Sequence, residues 1–451
     1  MSKRELRVCY FGTYSMEEGY PRNRVIIEGL RKNGVDVVEC HEDFWKDTDQ
    51  KLEGVKAGSG IIKTLYRLLL AYSMLICKFR RVGYYDVLIV GYAGHIDIFL
   101  AKALNLLRRK PLILDEFLSL YDTAVMDRRI VLPGSVKAKL LRFIDTWSCW
   151  IADAVLLDTQ AHVDYFVKEF RLPAEKFHAI PVGSYLSPPE SCRIPLSQET
   201  SNPSDPQIPH NPPLIKGERR DFNVLYFGSY IPLHGVDVIL EAAKLLQDEN
   251  PPPLSPLPQG EGRYEGVPLV PPPLTGGGEA CPELVEGGEG ERRAFSDESE
   301  VVFTLIGTGQ LLSAMKELAL SLELKNVIFI DRFVREEELI GYIMESDICL
   351  GVFGQTDKAA RVIPCKVYNC LALGKPLITM SSPAMDGVLT HRENVFFCRP
   401  GDPDALSEAI LTLRNDGILR EKIACSGQDY FEKNFSAKAI GKTVINLIES
   451  L

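Results

Sequence analysis

The 11 cysteines contain no Cys-x-x-Cys, and neither they nor the seven histidines form a ligand-like pair. Structural zinc therefore has no sequence site. The odd cysteine count, with no signal peptide ahead of it, leads us to expect a reduced, cytoplasmic setting. An excess of positive charge is missing too. Lys and Arg number 51 against 61 Asp and Glu, a net charge of −10, which argues against nucleic acid as a partner because nothing remains to neutralise phosphates. Gly307-Thr308-Gly309 lacks the third glycine of a nicotinamide fingerprint, with Leu312 standing in its place, and this disfavours an oxidoreductase. The run Leu68 to Cys77 holds nothing more polar than Tyr72 and Ser73 but is only ten residues long, too short to cross a bilayer. Asp402 and Asp404 read as a helix cap followed by Pro403, and Asp47-Thr48-Asp49 as a polar loop. Neither is a metal site, and no cofactor is expected.

The totals that remain are those of an ordinary soluble protein, 45% apolar and 25% charged over 451 residues. That length exceeds one core and predicts two domains. Leu6 to Gly12, Val35 to Cys40, Tyr85 to Gly91 and Pro111 to Leu114 read as buried strands separated by helices. Strand–helix–strand units of this kind build a doubly wound parallel sheet, which binds ligands beyond the carboxyl ends of its strands. Gly12 to Arg24 should then line a cleft, with Arg22 and Arg24 as anion contacts or as a solvated helix start. His95, Asp97, Asp115 and Glu116 cluster at strand ends and are candidate acceptor or catalytic groups. Val224 to Gly228 repeats the Tyr-Phe-Gly of residues 10–12, so a second such domain is expected.

Two stretches break this pattern. Residues 186–220 carry paired prolines among Ser, Asn and Gln, and residues 250–299 hold nine of the 29 prolines between Pro251 and Pro273. Such composition buries too little apolar surface to offset chain ordering, and both are read as disordered inserts. The division that results is residues 1–185, a linker at 186–221, a second domain at 222–425 with its insert at 250–299, and a terminal helix at 426–451 that packs back on the first domain. Leu68 to Cys77, flanked by Lys63, Arg67, Lys78, Arg80 and Arg81, fits a helix lying in the headgroup region of a membrane or a core helix with snorkelling ends.

Residues 361–376 are the stretch on which a functional reading turns. Pro364 suits the first turn of a helix, Gly374 its left-handed cap, and Lys375-Pro376 forbids continuation. A lysine at the start of a short helix is electrostatically misplaced unless an anion sits there, where free amides and the ammonium converge on it. A solvated lysine is the alternative. Pro364, Lys366, Tyr368, Ala372, Gly374, Lys375 and Pro376 resemble the nucleotide-sugar site of glycosyltransferase family 4. Arg361 and Asn369 stand where that family carries two glutamates eight residues apart. The resemblance extends through Val224 to Gly228, Ile306-Gly307 and Asp347, and at the amino terminus through the Tyr-Phe-Gly-Thr-Tyr phrase.

The resemblance implies a GT-B fold, α/β, with two Rossmann-like domains facing a cleft. It implies a donor site built from Gly12, Gly228, Ser229, His234, Gly307, Arg361, Pro364, Lys366 and Asn369. Acceptor contacts would come from Arg22, Arg24 and Glu116, with His95 and Asp115 as catalytic groups. The implied activity is a retaining, metal-independent transfer of a sugar from a nucleoside-diphosphate sugar to a glycan or lipid-linked acceptor. A nucleotide-sugar epimerase and a non-catalytic nucleotide-sugar-binding protein remain the alternatives.

Overall fold

The computed structural model describes residues 6–16, 21–43, 60–187, 221–249 and 300–451. Nearly all of the two Pro-rich stretches, and Asp47-Thr48-Asp49, lie outside these residues. The first domain runs β1 (Arg7–Gly12), α1 (Pro21–Lys32), β2 (Asp36–His41), α2 (Gly60–Arg81), β3 (Val87–Val90), α3 (Asp97–Asn105), β4 (Leu112–Asp115), α4 (Val136–Ile151), β5 (Ala154–Leu157), α5 (Gln160–Phe170) and β6 (Phe177–Ala179). Its six parallel strands lie in the order β2-β1-β3-β4-β5-β6. Strands such as Val87–Val90 are buried along their whole length, the pattern of a parallel sheet covered on both faces. One cover is α2, α3 and α4 with part of α5, sharing a core with Leu75, Phe79, Ile98 and Phe166. The other is α1, joined by a helix from the far end of the chain.

The second domain runs β7 (Phe222–Phe227), α6 (Val236–Glu249), β8 (Val301–Ile306), α7 (Leu312–Ser321), β9 (Val327–Ile330), α8 (Glu336–Glu345), β10 (Ile348–Leu350), α9 (Cys365–Ala372), β11 (Leu377–Met380), β12 (Phe396–Cys398) and α10 (Pro403–Asn415). Its sheet, β12-β11-β10-β7-β8-β9, is also six-stranded and parallel. The order reverses between β7 and β10, the switch point at which such sheets bind ligands. Then α11 (Gly417–Asn434) leads into α12 (Ala437–Ser450), which leaves this domain and packs its Ala437, Ile440 and Val444 against Val25 and Ile26 of α1. The helices meet at Gly29 and Gly441, where a Cβ on Gly441 would lie 2.1 Å from the Gly29 carbonyl. The terminal stretch expected at 426–451 thus comprises the end of α11 together with α12.

The carboxyl ends of the two sheets face one another. Thr159, just beyond β5, donates its hydroxyl to the Arg361 carbonyl, and Asp122, beyond β4, pairs with the Arg361 guanidinium at 2.7 Å. Lys358 reaches the Thr123 hydroxyl at 2.7 Å, and Ser184 donates to the Asn369 amide oxygen at 2.8 Å. The cleft is closed along this side by polar contacts between domains.

Candidate functional site

Lys366 lies in the first turn of α9, beside the carboxyl end of β7. The helix begins one residue later than its proline suggests. Pro364 is extended and serves as the N-cap without a side-chain cap, so Cys365 is the first helical residue. Of the first-turn amides, that of Val367 donates to the Pro364 carbonyl at 2.9 Å, and those of Cys365 and Lys366 are left for an external acceptor. The Lys366 side chain is 5% exposed and its Nζ has no hydrogen-bond partner. It rests 3.8 Å from the centre of the Tyr226 ring, a cation–π contact that returns only part of the lost hydration. Burial pushes this amine well below the usual lysine range.

Gly228 and Gly307 form the floor beneath it. A Cβ on Gly307 would fall 2.0 Å from the Gly228 carbonyl oxygen, and one on Gly228 would fall 3.0 Å from Lys366 Nζ. Both have φ near +140°, +139° and +140° respectively, a conformation that only glycine adopts without strain. Backbone is thereby brought to the surface next to the lysine. His234 borders the same space, its Nδ1 2.8 Å from the Tyr226 hydroxyl and 2.5 Å from the Ser229 carbonyl. Burial, then the neighbouring Lys366, pushes the His234 imidazole well below its usual value. His234 can serve as a phosphate donor only when protonated, and in the free protein its surroundings favour the neutral form. Ser229 has its side chain in solvent and uses its carbonyl to fix Tyr226 and His234.

Gly228, Ser229, His234, Gly307, Pro364 and Lys366 are thus brought together, and the other expected site residues are not. Arg361 is spent on the other domain, paired with Asp122 and stacked 4.1 Å from the Tyr165 ring. Asn369 has its amide oxygen engaged by Ser184, so the family's two glutamate positions both serve the domain contact here. Gly12 ends β1 and is filled by Asp97, whose carboxylate accepts from the Thr13 amide and hydroxyl and from Tyr72. This places Gly12 in the first domain's own loop rather than at Lys366.

The proposed catalytic and acceptor groups are likewise committed elsewhere. Asp115 is fully buried and paired with Arg22, whose guanidinium also donates to the Ile180 and Pro181 carbonyls. Arg22 lies inside α1 rather than in a loop, because Pro21 starts that helix. This ion pair ties α1 to β4 and leaves neither partner for an acceptor. Arg24 pairs with Glu28 at 2.8 Å and stacks 3.9 Å from the Tyr185 ring. Glu116 is fully buried, held well above the carboxylate range by burial and by Asp145. His95 gives one ring nitrogen to the Leu118 carbonyl at 2.8 Å, 3.4 Å from Glu116.

His95, Glu116 and Asp145 are, among the described residues, the group spaced to hold a metal ion. Asp145 already accepts from the Ser119 hydroxyl and from the Leu120 and Tyr121 amides. Its oxygens are satisfied by the loop they organise, so the cluster reads as structural. Sequence reasoning missed Tyr226 as the seat of Lys366, and Lys358 and Asp122 as domain contacts. It also missed the buried Asp158–His162 pair, 2.7 Å apart, although an acid at a strand end with a histidine four residues on was a visible signal.

Comparison with known proteins assigns the architecture. Over 99% of the chain and all of theirs, the fold matches Anabaena HepE in complex with UDP-glucose, at 14% identity and a TM-score of 0.56. It matches the sucrose-phosphate synthase of Thermosynechococcus elongatus over 99% of both chains, at 13% identity and 0.57. The fold is GT-B. Residues 290–429 match the family described as glycosyl transferases, group 1. In sequence, 76 residues are 33% identical to the lipopolysaccharide core biosynthesis glycosyltransferase LpsD of Rhizobium meliloti, 17% of this chain and 22% of that protein. The aligned stretch therefore spans about a fifth of that relative.

Proposed function

We propose that the protein is a nucleotide-sugar-dependent glycosyltransferase of the family 4 type, holding its donor in the second domain. The observation that carries this reading is the buried, unpartnered Lys366 amine at an uncapped helix start beside two bare glycine backbones. A donor diphosphate supplies what that site lacks: an acceptor for Nζ and for the Cys365 and Lys366 amides. As the glycosidic bond to the diphosphate breaks, negative charge grows on the leaving oxygens, and preorganised donors lower the barrier. The phosphate charge also draws a proton onto His234, adding a second cation. In this reading Lys366 and His234 neutralise the leaving group, with no resident metal assigned to that task, and the sugar moves with retained anomeric configuration. The first domain receives a glycan or lipid-linked acceptor from the opposite wall of the cleft.

A second reading is a nucleotide-sugar-binding protein without turnover. It is favoured by Arg361 and Asn369, which face the other domain where the family has acids. The two separate in one experiment. UDP-sugars, chosen first because a neighbour of the same fold binds UDP-glucose, are screened for thermal stabilisation, and the best is then assayed for UDP release with oligosaccharide and polyprenyl-linked acceptors. Stabilisation with turnover supports the transferase, and stabilisation without turnover on any acceptor supports the binder. No stabilisation by any nucleotide-sugar refutes both.

A further inference from the structure

The outer surface of the first domain carries an apolar helix face. On α4 the residues Val136, Leu140, Phe143, Trp147 and Trp150 recur every three or four positions, and all are exposed. Their opposite face, Ala138, Asp145, Ser148 and Cys149, is the buried one. An apolar row that faces water is the reverse of what a surface helix normally presents. From Val136 to Trp150 the row is about 21 Å long at 1.5 Å per residue. Phe143, Trp147 and Trp150 touch in sequence along it, the first pair tilted with ring centres 5.6 Å apart and the second edge to face at 5.1 Å. The helices α3 and α2 lie beside it in the same layer over the same core. Leu69, Leu70 and Met74 of α2 add to it, as does Leu107 in the turn after α3, which is 95% exposed. With neighbouring helices packed about 10 Å apart, a face of this length and two to three helices wide covers roughly several hundred Å², the range that marks an interaction site.

Charge identifies the partner. Residues 60–81, 97–110 and 136–151 hold 12 of the 51 Lys and Arg but only two of the 61 acidic residues. Those two, Asp97 and Asp145, are buried and turned inward. Some of these cations have local partners, Lys78 with Glu42 and Arg142 with Glu169. Lys137, Lys139, Arg80 and Arg81 are exposed at the margins of the apolar surface. A cationic rim around exposed leucine, phenylalanine and tryptophan, on a chain of net charge −10, complements an anionic surface that also accepts apolar side chains. A second copy of the chain is disfavoured, since a face-to-face dimer would oppose two cationic rims. The row ends at a cavity of about 400 Å³ beside Trp150, lined by Lys102, Asp153 and Lys176, the last donating to the Cys149 and Trp150 carbonyls. It opens at the amino-terminal ends of β4 and β5, away from the cleft.

We infer that α4, with α3 and α2, is a docking face for an anionic phospholipid bilayer, with Trp147 and Trp150 entering the interface and Lys137 and Lys139 meeting the headgroups. The protein then lies on the membrane by its first domain. This stands on observations separate from those at Lys366, so either can fail without the other.

Two of the three tryptophans are on this face, so replacing Trp45 by Phe makes the emission a direct report on it. The full chain is mixed with phosphatidylglycerol vesicles and, separately, with phosphatidylcholine vesicles. Sedimentation with the anionic vesicles, a blue shift and quenching by brominated lipid are expected at about 0.1 M salt, with release near 1 M as charges are screened. Trp147→Ser with Trp150→Ser, and separately Lys137→Glu with Lys139→Glu, should each weaken binding at least tenfold, the exposed lysine pair leaving the melting temperature unchanged and the half-exposed tryptophan pair lowering it by a few degrees at most. No binding to anionic vesicles at low salt overturns the inference, as does binding unaffected by both pairs of substitutions. Lipid-free dimerisation abolished by the tryptophan substitutions, with no vesicle binding, overturns it in favour of a second copy.

Discussion

Binding of a nucleotide-sugar should be accompanied by proton uptake, and Lys366 should be its main source. In the free protein burial lowers the Lys366 amine well below its usual 10.5, so its neutral form is favoured relative to that of an exposed lysine. A diphosphate placed against Nζ favours the charged form and returns the amine toward its ordinary value. Each unit of that return is worth about 1.36 kcal/mol. Titration calorimetry between pH 7 and 10, in buffers of low and high ionisation enthalpy, measures the protons taken up. Phosphate buffer is avoided because it competes for the same site. The apparent binding heats should differ between buffers for the parent and converge for Lys366→Met above neutral pH. His234, also lowered, contributes only at the acidic end. The substitution removes a hydrogen bond to a charged group, worth about 1.5–3 kcal/mol, so affinity should fall roughly 10- to 150-fold. The free variant should be at least as stable as the parent. The folded amine lies below its unfolded value, so between the two values the unfolded chain binds more protons. Lys366 therefore weakens the fold as pH falls through that window, and methionine removes the slope. Equal heats in both buffers, or uptake that persists unchanged in Lys366→Met, would refute the assignment of Lys366 to the diphosphate.

Other expectations follow from the packing. Gly441→Val forces a branched side chain into the Gly29 backbone and should cost about 1–3 kcal/mol, lowering the melting temperature by several degrees. Asp122→Asn leaves Arg361 facing a neutral partner and should loosen the domains, seen as a larger radius of gyration in solution scattering. Asp122→Ala with Arg361→Ala should lose less than the two single effects combined, because no uncompensated charge remains. Replacing residues 253–296 by a short Gly/Ser link should leave melting temperature and donor affinity nearly unchanged, since loop-closure cost grows slowly with length. A drop of several degrees would show that the segment contributes packing.

The architecture was legible because it is written in local patterns. Three strands end in glycines of the same unusual φ, Gly12, Gly228 and Gly307, and each was visible as an apolar run stopped by Gly. Lys366 was legible because its charge conflicts with its place on a helix. The fates of Arg22, Asp115, Arg361 and Asn369 were hidden for a common reason. Their partners lie 93, 239 and 185 residues away in sequence, as Arg22–Asp115, Arg361–Asp122 and Asn369–Ser184, and no periodicity encodes such pairings. A polar group at a strand end was expected to lie near the cleft. Whether it faces the cleft or braces it depends on the other domain. The exposed row on α4 escaped notice because its spacing is that of an ordinary amphipathic helix, and only burial shows which face is turned outward.

The crossing of α12 onto α1 has a consequence for synthesis. The first domain's sheet is complete once Phe177–Ala179 has been made, yet Val25 and Ile26 of α1 pack against a helix that begins only at Ala437. About 250 residues separate these events, roughly 13 to 50 s of translation at 5–20 residues per second. During that interval the nascent first domain carries an uncovered apolar seam along α1 while the second domain is being made. Ribosome-bound chains halted before Ala437 should therefore recruit chaperones at that seam and release them once α12 has emerged.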